Sequence, residues 1–289
     1  MNKTGGPTFI ESQLEASLRE IDIPPRPLIL DRINEEMQKD EPDFNHLASL
    51  ISADVALAAS LIKITNSPFF GLRGHVHSPR EALMLLGLNV AAKAVAGIVM
   101  RRAFPRSPQL ERFWDASALI AKLSGWLAQR VTNHRLRADD AYTFGLFRDC
   151  GIPILLARRP SYFEILVEAN HDAGRSFTAI EDLILPTNHA VVGSILTQSW
   201  GLTNETTLSV QHHHDLAFLD ASTIPPSLNS RYMIAVAQLA EYLLQRHTGR
   251  SHTREWDKLG PACLRLLKLD EAGIADLLTE AMPIMDAEL

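Results

Sequence analysis

Cysteine is scarce in this sequence: Cys150 and Cys263 are the only two among 289 residues, and they lie far apart. A disulfide framework and a thiolate zinc site each need several closely spaced cysteines, so neither is expected. The first residues also lack the basic region followed by an apolar one that marks a secretory signal. The sequence therefore predicts a cytoplasmic protein.

A surplus of basic residues is missing as well, because the formal net charge is −6. Proteins that bind nucleic acid usually carry a basic surplus that displaces counterions from phosphates, so no nucleic-acid partner is expected. A nucleic-acid-binding regulator stays open as an alternative that would need a clustered basic face. The candidates for such a face are Arg101, Arg102, Arg106 and Arg112.

Long uninterrupted apolar runs are also lacking. The most apolar stretch extends from Ala82 to Met100, and Gly87, Asn89 and Lys93 interrupt it. A membrane span needs about 20 consecutive, predominantly apolar residues. This stretch instead predicts two core helices joined by a turn, so no membrane association is expected.

Strand patterns are scarce, since few windows alternate apolar and polar residues while many place apolar residues three and four apart. We therefore predict an all-α fold. Ser52 is the predicted cap of a helix that carries Val55 to Ile62. The clearest helix start is Ser78-Pro79-Arg80-Glu81, a capping box with proline at the first helical position, and Gly87 is the predicted left-handed stop.

Later helices are predicted from about Gln109 to Val131 and through most of the rest of the chain, and the Pro-rich segment Phe104–Pro108 is the predicted hinge between two lobes. The further predicted helices are Asp139–Leu146, Gly151–Arg158, Tyr162–Ala169, Glu205–His213, Asn229–Arg246 and Glu271–Met285, with one more between Asn188 and Trp200. Thr178 to Glu181 is predicted to be a second capping box.

Three motifs before residue 90 occur in a fixed order. They are Ile51-Ser52-Ala53-Asp54-Val55-Ala56-Leu57-Ala58, Asn66-Ser67-Pro68-Phe69-Phe70-Gly71, and the helix Ser78 to Gly87. Together they resemble the HDOD family, whose patterns are I-S-x-D-P-x-L-A, N-S-x-[FY]-[FY]-G and S-x-x-E-A-[IL]-x-x-L-G. Val55 stands where a proline is usual. Cap, turn and core chemistry accounts for these residues without a binding role.

The second half resembles a worn form of the related HD phosphohydrolases, in which His and Asp side chains hold metal ions that activate water. In Trp114-Asp115-Ala116-Ser117, Ala116 replaces the usual histidine. In Gly145-Leu146-Phe147-Arg148-Asp149-Cys150-Gly151, Arg148 replaces the histidine of the His-Asp pair. His189 and the segment with His212 and His213 keep their imidazoles, and Gln238 stands where a late Asp is expected.

This comparison implies an incomplete ligand set, because Ala116 has no donor atom and Arg148 brings a permanent cation. No bound metal, other cofactor or catalytic residue is expected. Residual metal binding stays open, since one or two of His212, His213 and His214 could join His189 and Asp149. Asp149, His189 and these histidines are predicted to lie together, with Arg148 beside Asp149 and able to lower the pKa of Cys150.

The resemblance implies a non-enzymatic signal-transduction output or scaffold module of bacterial type. Its partners would be signalling proteins, such as receiver or cyclic-dinucleotide proteins, and a homodimer is an open alternative. The rival hypothesis is a residual metal-dependent phosphohydrolase of nucleotides or cyclic dinucleotides. The predicted organisation is an N-terminal extension (1–20), an N-terminal helical lobe (21–108), a degenerate HD-like lobe (109–250) and a C-terminal helical tail (251–289).

Overall fold

The computed structural model describes residues 23–67, 74–104, 107–132, 135–220, 228–249 and 253–286. These residues form helices and no strand, which confirms the all-α prediction. The helices are α1 (Leu28–Met37), α2 (Phe44–Ser52), α3 (Val55–Thr65), α4 (Pro79–Arg102), α5 (Pro108–Val131), α6 (Ala138–Phe147), α7 (Gly151–Arg158), α8 (Tyr162–His171), α9 (Phe177–Ile184), α10 (His189–Ser199), α11 (Asn204–His212), α12 (Leu216–Leu219), α13 (Leu228–Thr248), α14 (Glu255–Leu267) and α15 (Glu271–Asp286).

Helix caps confirm some of the predicted boundaries and shift others. Ser78 Oγ accepts a hydrogen bond from the Glu81 amide at 3.2 Å, as predicted. The Glu81 carboxylate accepts from the His77 amide at 2.8 Å, one residue before the position of an ideal capping box. Ser52 was predicted to cap α3, but it ends α2, and Asp54 caps α3 by accepting from the Leu57 amide at 3.0 Å. An aspartate directly before the helix therefore takes the role assigned to the earlier serine.

Gly87 bends α4 instead of ending it. Its φ of 71° and ψ of 161° lie outside the helical region, so α4 consists of two helical segments that meet at this residue. Glycine reaches a positive φ without a steric penalty. This is the predicted turn between two core helices, with the chain continuing as a helix straight after it.

Among the described residues, α4 is long and apolar enough to span a membrane by length and composition, and the bent pair α2 and α3 passes the same test as one broken span. Half of the most apolar window of α4 is buried within the protein. Leu83, Ala91 and Val95 pack there among the side chains of the first hydrophobic cluster. That is the environment of a core helix.

Two clusters of buried apolar side chains organise the fold. The first combines α1 to α4 with Trp114 at the start of α5 and with α7 to α10. The second combines the rest of α5 with α6, α13, α14 and α15. Along α6 and the turn after it, Phe144 belongs to the second cluster, whereas Phe147 and Cys150 belong to the first. The turn after α6 therefore lies where the two clusters meet.

The predicted domain boundaries stay predictions. The extension 1–20, the turn residues 68–71 and part of the Phe104–Pro108 hinge, including Arg106, lie outside the described residues. The first cluster contains residues from before and after Pro108. Lys93 of α4 also forms ion pairs with Asp139 and Asp140 at the start of α6, so α4 and α6 are joined by charge as well as by packing.

Candidate metal centre

The candidate site lies at the turn Arg148–Cys150, between the end of α6 and the start of α7. Two glycines, Gly151 at the start of α7 and Gly193 within α10, permit the close helix packing around it. A Cβ atom on Gly151 would lie 2.1 Å from the backbone oxygen of His189, and one on Gly193 would lie 3.1 Å from the sulfur of Cys150. The starts of α7 and α10 can therefore approach closely, which brings Asp149 to His189.

The two oxygens of Asp149 face different groups. Oδ2 accepts a hydrogen bond from Arg148 Nε at 2.9 Å. Oδ1 lies 3.2 Å from His213 Nε2 and 3.6 Å from His189 Nε2. The predicted proximity of Asp149, His189 and Arg148 is therefore confirmed.

Arg148 is buried, and its charge is balanced on both sides. Its Nη2 lies 2.7 Å from Glu241 Oε2 on α13, while its Nε binds Asp149. Burial works against the charged guanidinium, but the two carboxylates more than offset it and raise the pKa of Arg148. Burial would likewise raise the pKa of Asp149, but Arg148 and the histidines hold that pKa well below its usual value.

His189 is fully buried at the start of α10, where Asn188 Oδ1 caps the helix by accepting from the Val191 amide at 3.0 Å. The ring Nδ1 of His189 donates to Glu181 Oε2 on α9 over 2.7 Å. Glu181 Oε1 also accepts from the Tyr162 hydroxyl and from the His189 amide. Burial lowers the pKa of His189, but Glu181 and Asp149 more than offset this and raise it to about 10. In the absence of a metal ion, the His189 ring is therefore positively charged, with a proton on each nitrogen, and it lies between the carboxylates of Glu181 and Asp149.

His213 and His214 follow directly after α11. The Nδ1 of His213 donates to the Val210 carbonyl over 2.7 Å, and the Nδ1 of His214 donates to Glu255 Oε2 on α14 over 2.6 Å. Burial and the neighbouring His214 lower the pKa of His213 to about 3, so His213 is neutral. Burial raises the pKa of Glu255, but His214 and Lys258 outweigh it and lower the pKa to about 2.

His212 was predicted to be a position of the site, but it lies outside the cluster. Its ring stacks on Phe218 with ring centroids 4.4 Å apart, and its Nδ1 lies 3.4 Å from Asp215 Oδ2. His212 is the last residue of α11, and the chain turns immediately after it. The two residues in that turn, His213 and His214, face His189 instead.

Asp149, His189, His213 and His214 each offer one ligand atom, and these four atoms all lie within 4.8 Å of one another. Three imidazoles and a carboxylate are a donor set that divalent transition metals accept. Each imidazole uses Nδ1 to bind an acceptor, the hydrogen bonding that orients ligating histidines in metalloproteins. The residues present therefore fit one divalent ion.

Comparisons with known proteins identify the family. The model of the HDOD domain matches residues 23–216, more than half of the 289-residue chain. The chain belongs to the HDOD family. A curated relative, an uncharacterised protein of Treponema pallidum (strain Nichols), is 26% identical over 199 residues, which cover 68% of this chain and 38% of that protein. The chain thus spans well under half of the length of this relative.

Solved structures of low sequence identity share the fold. An HDOD-domain protein of unknown function from Geobacter sulfurreducens is 21% identical, with a TM-score of 0.67 and coverage of 95% of this chain and 98% of that one. A Shewanella amazonensis SB2B protein with a provisional phosphohydrolase name is 19% identical, with a TM-score of 0.67 and coverage of 95% and 98%. A Marinobacter aquaeolei VT8 protein with a provisional signal-transduction name is also 19% identical, with a TM-score of 0.65 and coverage of 96% and 64%.

Besides His212, two predicted positions of the site, Ala116 and Gln238, contribute no ligand atom to the cluster of Asp149, His189, His213 and His214. Ala116 is half-buried on α5, and its methyl side chain has no lone pair that could bind a metal ion or accept a hydrogen bond. Gln238 is buried on α13, and it is not among the four possible metal ligands; Glu241, three residues later, pairs with Arg148. A carboxylate on this helix thus binds Arg148.

Four side chains of the site were missed or misassigned in the sequence. Glu181 was predicted to belong to a capping box with Thr178, but Ser176 caps α9 by accepting from the Ala179 amide at 3.2 Å, which leaves Glu181 buried and free to bind His189. Tyr162, Glu241 and Glu255 carried no motif signal, since their partners lie at least 19 residues away along the chain.

Cys150 is buried, and the sequence left open that Arg148 could lower the pKa of its thiol. Burial and the Asp149 carboxylate instead raise the pKa of its thiol. Arg148 is directed at Asp149 and Glu241, so its charge does not stabilise a Cys150 thiolate. The direction is thus opposite to the one considered from the sequence, and Cys150 is a buried, unactivated thiol.

Proposed function

We propose that this HDOD protein is a signal-transduction module that acts through contacts with other proteins and does not hydrolyse phosphoesters. The observation that carries the proposal is Arg148, buried between Asp149 and Glu241 at the position where HD phosphohydrolases have a histidine. The guanidinium of Arg148 is permanently charged and is paired with these two carboxylates. It therefore occupies the side of Asp149 where a hydrolytic centre needs a metal ligand.

The burial of the histidines supports the same proposal. Hydrolysis by a metal centre requires an open coordination position for water and substrate. His189 is 0% exposed and His213 is 1% exposed. A centre enclosed in this way is suited to a structural role.

Exposed apolar side chains support the interaction part of the proposal. Phe163 and Val167 lie four residues apart on α8, so they share one face of that helix. Leu183 and Ile184 are exposed at the end of α9, which packs against α8. Contiguous exposed apolar surface is typical of sites that bind other proteins, and these two packed helices carry four exposed apolar side chains.

A second candidate, residual metal-dependent hydrolysis of nucleotides or cyclic dinucleotides, is favoured by the four ligand atoms within 4.8 Å of one another. The two candidates differ in turnover. We expect no product from cyclic dinucleotides or nucleoside phosphates with added manganese, magnesium, iron or nickel. Steady turnover that is lost in Asp149→Ala, and kept in the exposed control Asp115→Ala, would overturn the proposal.

The interaction part is tested by affinity capture from the source organism. We expect Phe163→Asp to lose a partner that the unmodified protein retains. Leu28→Asp is the matched control, because Leu28 is an exposed leucine on a different helix, α1. Identical partners for both variants would place the contact surface elsewhere.

A further inference from the structure

We infer that a cleft between the end of α5 and the C-terminal helices α14 and α15 binds a small sugar phosphate. The cleft has a volume of about 440 Å³, within the range of about 300–1,000 Å³ that is usual for small-molecule sites. Both C-terminal helices follow the matched residues 23–216, and none of the described residues that line the cleft belongs to the Asp149 cluster. Binding here would need neither hydrolysis nor a partner protein, so it goes beyond the proposed function.

Two helices end at this cleft. Val131, the last residue of α5, and Leu267, the last residue of α14, both line it. The last carbonyl groups of a helix have no partner within that helix, so they accept hydrogen bonds from other donors. The hydroxyl groups of a sugar would therefore find acceptors at these two helix ends.

Two exposed cations of the cleft, Arg135 and Lys268, are free to bind an anion. Neither side chain has an ion-pair or hydrogen-bond partner among the residues that the structure describes. Guanidinium and ammonium groups bind phosphate oxygens through charge-assisted hydrogen bonds. A phosphate monoester carries a charge of about −1.5 to −2 near pH 7, which these two cations balance.

Arg130 adds hydrogen-bond donors whose position is fixed. Its guanidinium lies over the ring of Trp126, 4.1 Å from the ring centroid, and its Nε donates to Glu280 Oε2 over 3.2 Å. Glu280 balances the charge of Arg130, and the two Nη groups have no partner within the described part of the chain. A side chain that is already ordered loses less conformational entropy when it binds a ligand. Arg130 therefore offers donors to a phosphate without adding net charge.

Two other side chains of the cleft bind hydroxyl groups better than a second anion. Asp276 is exposed on α15 and has no ion-pair partner among the described residues. Its carboxylate only accepts hydrogen bonds, so it repels a second phosphate and accepts from a hydroxyl group. Tyr232 is buried near the start of α13, and its phenolic hydroxyl both donates and accepts. One phosphate joined to several hydroxyl groups, as in a sugar phosphate, matches this set of side chains.

Lys268 has a backbone conformation that favours glycine. Its φ of 56° and ψ of 44° are left-handed, and of the described residues other than glycine it alone has a positive φ. Glycine is the usual residue at such a helix end, because a side chain there costs conformational energy. Uncommon backbone conformations of this kind cluster at functional sites. A lysine at this position, where it lines the cleft, favours a use for its ammonium group.

Calorimetric titration of the full, chelator-treated chain tests the cleft with three probes, glycerol 3-phosphate, ribose 5-phosphate and glucose 6-phosphate. We expect at least one ester to bind at one site per chain with a Kd below about 1 mM. Inorganic phosphate should bind at least about 10-fold more weakly, because it lacks the hydroxyl groups that reach the acceptors. No saturable binding of any of the three esters by the folded protein would overturn the inference. Equal affinity for inorganic phosphate would contradict its sugar part.

The variant Lys268→Gly separates binding from folding. We expect it to weaken binding of the tightest ester by at least about 10-fold, the effect of losing a hydrogen bond to a charged group. Glycine relieves the left-handed backbone, so the variant should melt at the same temperature as the unmodified chain or higher. Arg265→Ala is the matched control, because Arg265 is an exposed cation on the same helix that pairs with Asp220 at 2.9 Å. Equal affinity in the two variants would contradict the role of Lys268.

The variant Asp276→Ala tests the contacts with hydroxyl groups. We expect weaker binding of the ester and unchanged or tighter binding of inorganic phosphate, because an acceptor and a negative charge are removed together. Glu271→Ala, at an exposed position of the same helix, should change neither affinity. Tighter binding of both ligands by Asp276→Ala would contradict the sugar part of the inference. Hydrolysis of the ester that is lost in Asp149→Ala would instead contradict the proposed signalling function and leave the cleft standing.

Discussion

The two sides of Asp149 differ in how they are filled. On one side, Arg148 supplies a cation from the chain itself and binds both Asp149 and Glu241. On the other side, His189 and His213 direct nitrogen atoms toward the carboxylate. A permanent cation thus lies on one side of Asp149, while the other side faces the nitrogen atoms of a cluster that fits a divalent ion.

The largest effect is expected from removing the built-in cation. Arg148→Met leaves the carboxylates of Asp149 and Glu241 without their buried partner, and we expect a loss of about 3–5 kcal/mol in the free energy of unfolding. Urea denaturation in the presence of a chelator measures it. Arg102→Met is the control, because the pair of Arg102 with Asp54 is exposed and worth at most about 1 kcal/mol. Equal losses of stability in the two variants would show that the buried ion pairs of Arg148 contribute no more than the exposed pair of Arg102.

The histidine side is tested by Glu181→Gln. The carboxamide keeps the shape of the side chain but removes the charge that holds His189, so we expect a loss of about 1.5–3 kcal/mol in the free energy of unfolding. Glu168→Gln, an exposed glutamate on α8, should change stability by no more than about 0.5 kcal/mol. A loss in Glu181→Gln as small as that would mean that the buried pair contributes little.

The close packing that joins the two sides is tested by Gly151→Ala. An added Cβ would lie 2.1 Å from the His189 oxygen, so the backbone must move, at a cost of about 1–3 kcal/mol in the free energy of unfolding. Gly174→Ala is the matched control, since the nearest atom to its Cβ is 3.8 Å away. Unchanged stability in Gly151→Ala would show that α7 and α10 separate easily.

The smallest effect is expected from His212→Ala. His212 is partly exposed and contacts Phe218 and Asp215 at the surface, so we expect a change of no more than about 0.5 kcal/mol in the free energy of unfolding. Thermal or urea denaturation would measure it. A loss of stability comparable to that of Glu181→Gln would contradict the placement of His212 outside the cluster.

The sequence predicted much of the fold because local patterns decide it. The helix Gly151–Arg158 has the predicted bounds, and the Ser78 cap and the helix start directly after Asn188 are confirmed. The motifs also predicted that Asp149 and His189 meet, because motif residues are constrained in space as well as in sequence. Element boundaries moved by one or two residues elsewhere, as expected where a cap has more than one candidate.

The partners of the site were not predictable in the same way. Glu181 stands three residues after Thr178, which fits a capping box and also fits a buried carboxylate, and only the Ser176 cap distinguishes the two. Glu241 and Glu255 are single glutamates on amphipathic helices, where most carboxylates face solvent. The expectation that no metal binds stays a prediction; it rested partly on an ion pair of Arg148 with Asp149, and the second partner of Arg148, Glu241, was not identified.

The central claim is that Arg148 fills one side of Asp149, so that the site does not hydrolyse phosphoesters even when metal ions are supplied. The most direct test measures metal content and phosphoester hydrolysis on the same zinc-loaded or manganese-loaded sample. The account predicts at most one ion per chain and no product from cyclic dinucleotides or nucleoside phosphates. Two ions per chain with turnover that is lost in Asp149→Ala would contradict it.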